Sequence, residues 1–201
     1  MTRSAIPVFL VGTLFMGMMA FSGCHHDKNP RPRGYIRIDM PDKEYRLFDS
    51  IYPYTFLMAS ISRFVPDTSD LAEDHWGNIV YPDHKATIHL SYKPVGSDHD
   101  LNQYFEDART FAQRHIPKAT SIREEVISHE SRQTHGVLYQ IRGKEAASPI
   151  QFYVTDSTDH FLRGALYFEV TPNNDSLAPV IRYIEEDIRQ LMESLEWRRS
   201  E

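Results

Sequence analysis

One side chain in this sequence is placed for covalent chemistry. Cys24 is the single cysteine of the 201-residue chain, and it closes the run Phe21-Ser22-Gly23-Cys24. The thiolate is a reactive nucleophile. Placed directly after two small residues, it can be acylated and become the first residue of a processed chain. The residues before it suit that fate. Arg3 supplies an early positive charge, and Ala5 to Ala20 supply an apolar run of the length a secretory signal needs.

The pattern resembles a bacterial lipobox, with Phe21 where that motif usually has Leu. Two other fates stay open. Ala20-Phe21-Ser22 also fits the small-x-small rule of ordinary signal cleavage, and Ala5 to Gly23 is barely long enough to stay as a spanning anchor. The position of the sole cysteine favours lipidation. Residues 1–23 are then a lipoprotein signal peptide. Residues 24–33 form a lipidated N-terminus and flexible tether, polar and carrying two prolines. Residues 34–201 form one domain. The His25-His26 pair beside Cys24 makes a poor metal site, because adjacent histidines on an unstructured segment are not preorganised.

Other chemistry is scarce. The sequence has no G-x-S-x-G elbow, no H-E-x-x-H and no phosphate-cradling glycine loop. Its ten histidines are scattered, and His89 falls on the polar side of an alternating segment. Asp156-Ser157-Thr158-Asp159 reads as turn chemistry before it reads as a cation site. Asn173-Asn174-Asp175-Ser176 reads as a turn and helix cap. No enzyme is expected, nor any cofactor or metal. The net charge of −6, more negative once Arg3 is removed, argues against nucleic acid as a partner. With no second cysteine, the exported domain must be held by its core alone.

The elements that would carry any surface are legible from periodicity. Ile36, Ile38 and Met40 alternate as a strand that Pro41 ends, and Tyr52 to Ser60 reads as another. Asp67 to Asn78 is polar enough to read as a loop. Ala86, Ile88, Leu90 and Tyr92 alternate cleanly. Asp100 is positioned to cap a helix reaching His115, with Leu101, Tyr104, Phe105, Ala108, Phe111 and Ala112 as its stripe and Pro117 as its stop. Four strands are expected at Ser121–His129, Gly136–Arg142, Pro149–Thr155 and His160–Val170. Their short connections force an antiparallel meander. Ser176 is positioned to cap a second helix ending near Leu195, and Trp197 closes the core. The sum is an α+β single domain, a twisted antiparallel β-sheet covered by two amphipathic helices, whose order of elements is similar to the PsbP/Mog1-like arrangement in layout only.

Within the last strand, Leu162, Leu166, Phe168 and Val170 share one side, expected under the helices. Phe161, Arg163, Ala165 and Tyr167 share the other. Two aromatics and an arginine have the composition of an interaction patch, so Phe161, Arg163 and Tyr167 are candidate partner contacts. The competing reading is a structural ion pair from Arg163 to Glu145 or Glu169.

Longer phrases carry a family resemblance: PRPRGYIRIDMP (Pro30–Pro41), HLSYKP (His89–Pro94), SPIQFYVTDSTDHFLRGALYF (Ser148–Phe168), PNNDSLAPV (Pro172–Val180) and SLEW (Ser194–Trp197). Together with Cys24 they resemble the gliding-motility lipoprotein GldD family of Bacteroidota-type bacteria. The stretch between Asp67 and Asp74 matches nothing in it. The resemblance implies a non-enzymatic accessory lipoprotein of the gliding machinery, built together with the type IX secretion system. It also implies a link to the lipoprotein GldJ and other envelope proteins. The domain is expected to face the periplasm, tethered by palmitate-type acylation, with the outer membrane preferred over the inner. The alternative is a lipid-anchored periplasmic ligand-binding domain. A cell-envelope hydrolase is a third reading, with no nucleophile to support it.

Overall fold

A computed structural model describes residues 40–198. The signal segment, Cys24, the His25-His26 pair and the tether lie outside the described residues. So does the strand expected from Ile36, except for Met40, which is irregular and packs against the core.

Ten strands and two helices follow among the described residues. Strand β1 (Tyr45–Phe48) pairs antiparallel with β2 (Tyr54–Ala59), setting Phe48 opposite Phe56. Strands β3 (Arg63–Pro66), β4 (Gly77–Tyr81) and β5 (Ala86–Pro94) lead to helix α1 (Asp98–Gln113). Strands β6 (Ser121–His129), β7 (Thr134–Arg142), β8 (Ile150–Thr155) and β9 (His160–Phe168) form the expected meander. Helix α2 (Asn174–Ser194) is followed by the two-residue β10 (Glu196–Trp197), which pairs with β2. The strands make a three-stranded sheet, β1-β2-β10, and a seven-stranded one, β3-β4-β5-β9-β8-β7-β6. The crossover that brings β5 beside β9 builds the middle of the larger sheet.

Several expectations need correction. The polar loop ends at Trp76, because Gly77, Ile79 and Tyr81 alternate inward as β4. Ser97, not Asp100, caps α1: its side chain accepts the Asp100 N–H at 3.3 Å, as an N-cap serine does for the third helical residue. Helix α1 stops at Gln113, before the single helical turn holding Pro117. Asn173 occupies the cap position of α2, and Ser176 lies in its first turn.

The larger correction concerns layers. The two helices lie against opposite faces of the seven-stranded sheet, not together on one. Ile184, Ile188 and Leu191 of α2 pack with Leu162, Leu166, Phe152 and Val154, and with Phe48, Tyr54 and Phe56 of the small sheet, as the main core. On the reverse face, Phe105 of α1 meets Tyr153 and Phe161 at 5.3 and 6.0 Å. The reason is β9 itself. Residues 160–162 and 164–166 are buried whichever face they point to, and such a strand requires cover on both sides. Gly164 serves the core side, where a Cβ would come within 2.2 Å of the Phe152 ring.

Candidate functional site

The reverse face of β9 holds the residues whose chemistry first suggested an interaction patch. Phe161 is 2% exposed, its ring 5.4 Å from Tyr104 and 5.3 Å from Tyr153. The Arg163 guanidinium lies 4.4 Å from the centre of the Phe111 ring, and its Nη2 donates to Gln151 Oε1 at 2.7 Å. Burial draws the guanidinium below its ordinary pKa, with Tyr167 opposing. Tyr167 remains 37% exposed beside His89. Of the three residues expected to meet a partner, Phe161 and Arg163 are covered by α1, and Tyr167 is the one left at the surface. The aromatic stripe of α1 offers rings to stack on, and Gln151 offers an acceptor. Arg163 pairs with neither Glu145 nor Glu169.

A second group forms where β8 turns into β9. Asp156 Oδ1 accepts the backbone N–H groups of Thr158, Asp159 and His160 at 3.0, 2.9 and 2.9 Å. Burial opposes its ionisation, yet these three donors hold its carboxyl below the usual range. Turn chemistry is what that motif performs. It seats His160, which is 8% exposed, with Nδ1 2.7 Å from the Tyr92 hydroxyl and the ring stacked on Trp197 at 5.0 Å. Burial, with Asp156 and Asp159 nearby, pushes Tyr92 up to about 12. His160 thus stands between two clefts. One, of about 750 Å³, is bordered by Arg132, Asp159 and Trp197. The other, of about 650 Å³, is bordered by Pro53, His75 and Tyr92. The loop Asp67–Trp76 flanks the second. It presents exposed Leu71 and is pinned by Trp76 Nε1 donating to the Tyr92 carbonyl at 2.9 Å. The tautomer of the His160 ring sets which of the two donates in the bond to Tyr92. Among the described residues no three His, Cys, Asp or Glu side chains gather to hold a metal ion.

A third group was missed from sequence. Asp187, 3% exposed, accepts from Lys43 Nζ at 2.6 Å, Tyr45 Oη at 3.1 Å and Tyr81 Oη at 3.2 Å. Lys43 also caps the ring of Tyr183. Burial, followed by the Asp187 charge, raises the Tyr81 phenol well above its ordinary value. The signal was available: Asp187 stands three residues after Ile184 and four before Leu191, on the apolar stripe itself.

No helix among the described residues is long and apolar enough to cross a membrane. Compared with known proteins, residues 25–197 match the model of the family described as gliding motility lipoprotein GldD. No curated protein sequence matches the chain. Among solved structures, the solution structure of cyanobacterial PsbP (CyanoP) from Synechocystis sp. PCC 6803 is similar, at 10% identity. That similarity covers 79% of this chain and 95% of that one, with a TM-score of 0.48.

Proposed function

This chain belongs to the family of gliding motility lipoprotein GldD, and from that premise we propose that it is a non-enzymatic accessory component of the joint gliding and type IX secretion machinery. It is held on its membrane by acylated Cys24. It works by binding or stabilising other envelope proteins, among them a GldJ-like lipoprotein, with its domain in the periplasm and the outer membrane as its seat. The observation that carries this reading is the extent of the family match. It begins at residue 25, directly after Cys24, and reaches Trp197. The three polar groups built by the fold serve its own architecture: Asp156 closes a turn, Arg163 stacks on Phe111 of α1, and Asp187 ties Lys43 to α2.

The test begins at the anchor. Cys24→Ser should abolish uptake of labelled palmitate and release the protein from membranes or leave it unprocessed. Unchanged mature size and membrane retention would remove the lipid from the account. A single acyl chain anchors only marginally, so more than one is expected on the mature cysteine. Deleting the protein should then stop surface motility and secretion and deplete the GldJ-like lipoprotein. Normal levels of that protein in the deletion would argue against a stabilising role.

A second reading, a lipid-anchored ligand-binding domain, is favoured by the two clefts that share His160. Its signature is a small molecule that raises the melting temperature of the wild type but not of His160→Ala.

A further inference from the structure

The end of β7 and the first turns of α2 enclose a groove of about 470 Å³ that none of the groups above uses. Its apolar part is Ile150, Ala178 and Ile181, and its rim carries Arg142, Lys144 and Arg182. All three cations are exposed, and none forms an ion pair among the described residues. Of the two carboxylates at the groove, Glu185 is engaged by Arg189 at 3.0 Å and by the Gln140 amide. Asp175 lies in the first turn of α2, where the helix dipole favours it. Cations therefore outnumber carboxylates around the apolar strip. Gln140 lines the same groove, and its Nε2 donates to Glu185, which holds that carboxylate away from the three cations.

We propose that this groove binds an extended acidic segment of a partner protein, an inference that rests on the partner-binding role above. Carboxylates of such a segment would meet the exposed Arg142, Lys144 and Arg182, and its apolar side chains the half-buried Ala178 and Ile181 between them. Arginine forks and lysine suit carboxylates in bidentate and point-charge fashion respectively.

The experiment uses the full lipidated chain in detergent and a fluorescein-labelled octapeptide of alternating Glu and Leu, with alternating Gln and Leu as control. By fluorescence anisotropy at low salt, the acidic probe should bind more tightly than the neutral one. Arg142→Glu with Arg182→Glu should weaken it at least ~10-fold, and the difference should shrink at about 0.5 M salt, as screening of exposed charges requires. Lys144→Glu, on the exposed turn, should weaken it in the same direction, and thermal melts should show both variants folded. Equal binding of the two probes, or no effect of charge reversal, overturns the proposal. So does binding of anionic vesicles with none of the peptide. The same variants then enter co-purification from solubilised envelopes, with crosslinks from position 144 mapped by mass spectrometry. Crosslinks to an acidic extended segment, lost with charge reversal, bear the proposal out. A partner retained by the reversed variant overturns the groove and leaves the lipoprotein's role standing. A wild type that retains no envelope protein removes the partner-binding role as well.

Discussion

At Asp156 a single carboxylate shows how a residue's task is set by what surrounds it. Two aspartates in a four-residue turn could have been cation ligands, but three backbone N–H groups occupy one oxygen of Asp156. Its folded-state pKa is depressed, so its charge contributes stability above the ordinary carboxylate value of about 4 and loses that contribution as pH falls through the folded value. The melting temperature should therefore drop as pH falls below the ordinary carboxylate value, and Asp156→Asn should flatten part of that drop. Identical pH profiles would show that the charge does not matter. Arg163 makes the complementary point. With its guanidinium between Phe111 and Gln151, Arg163→Ala should cost about 1–3 kcal/mol in urea denaturation, the range for a lost charged hydrogen bond. It should leave partner co-purification intact. Full stability with lost binding would make Arg163 a partner contact.

Helices and strands were the most readable level. The meander of β6 to β9 and the stripe of α2 follow from periods of two and 3.6 written over long segments. Short edge strands were not readable. In β1 only Phe48 is buried, and in β3 no residue is, so their pairing partners, not their own residues, make them strands. The faces the helices choose have consequences for stability. Ile188 is 0% exposed in the main core, and Ile188→Ala should cost about 2–5 kcal/mol. Phe105 is only half-buried against Tyr153 and Phe161. Phe105→Ala should therefore cost less, about 1–2 kcal/mol, in proportion to the apolar area it keeps from water. Equal costs in chemical denaturation would mean that α1 and α2 are covered alike.

Across the whole domain, the N-terminal end of the described chain is bound to α2 by the buried contact of Lys43 with Asp187. The loop after β1 lies at the other end of that strand. Asp187→Ala leaves the Lys43 charge and the Tyr45 and Tyr81 hydroxyls without their acceptor, and should cost about 3 kcal/mol. The double variant Lys43→Met, Asp187→Leu should recover much of that, since an apolar pair does not need to be solvated. If the double variant is as unstable as the single one, packing rather than charge explains the loss.

The sequence by itself determined the α+β class, the long helices and strands, and the family, because each is written in local spacing or in contiguous phrases. Tertiary structure alone decided that α1 and α2 take opposite faces and that Arg163 lies under a helix. It also brought Asp187 to Lys43 across 144 positions. It set Arg142, Lys144 and Arg182 around one apolar strip. The physical reason is common to all of these. A period names which residues share a side, but what covers that side depends on which distant element packs there, and that choice is made only when the whole core is formed.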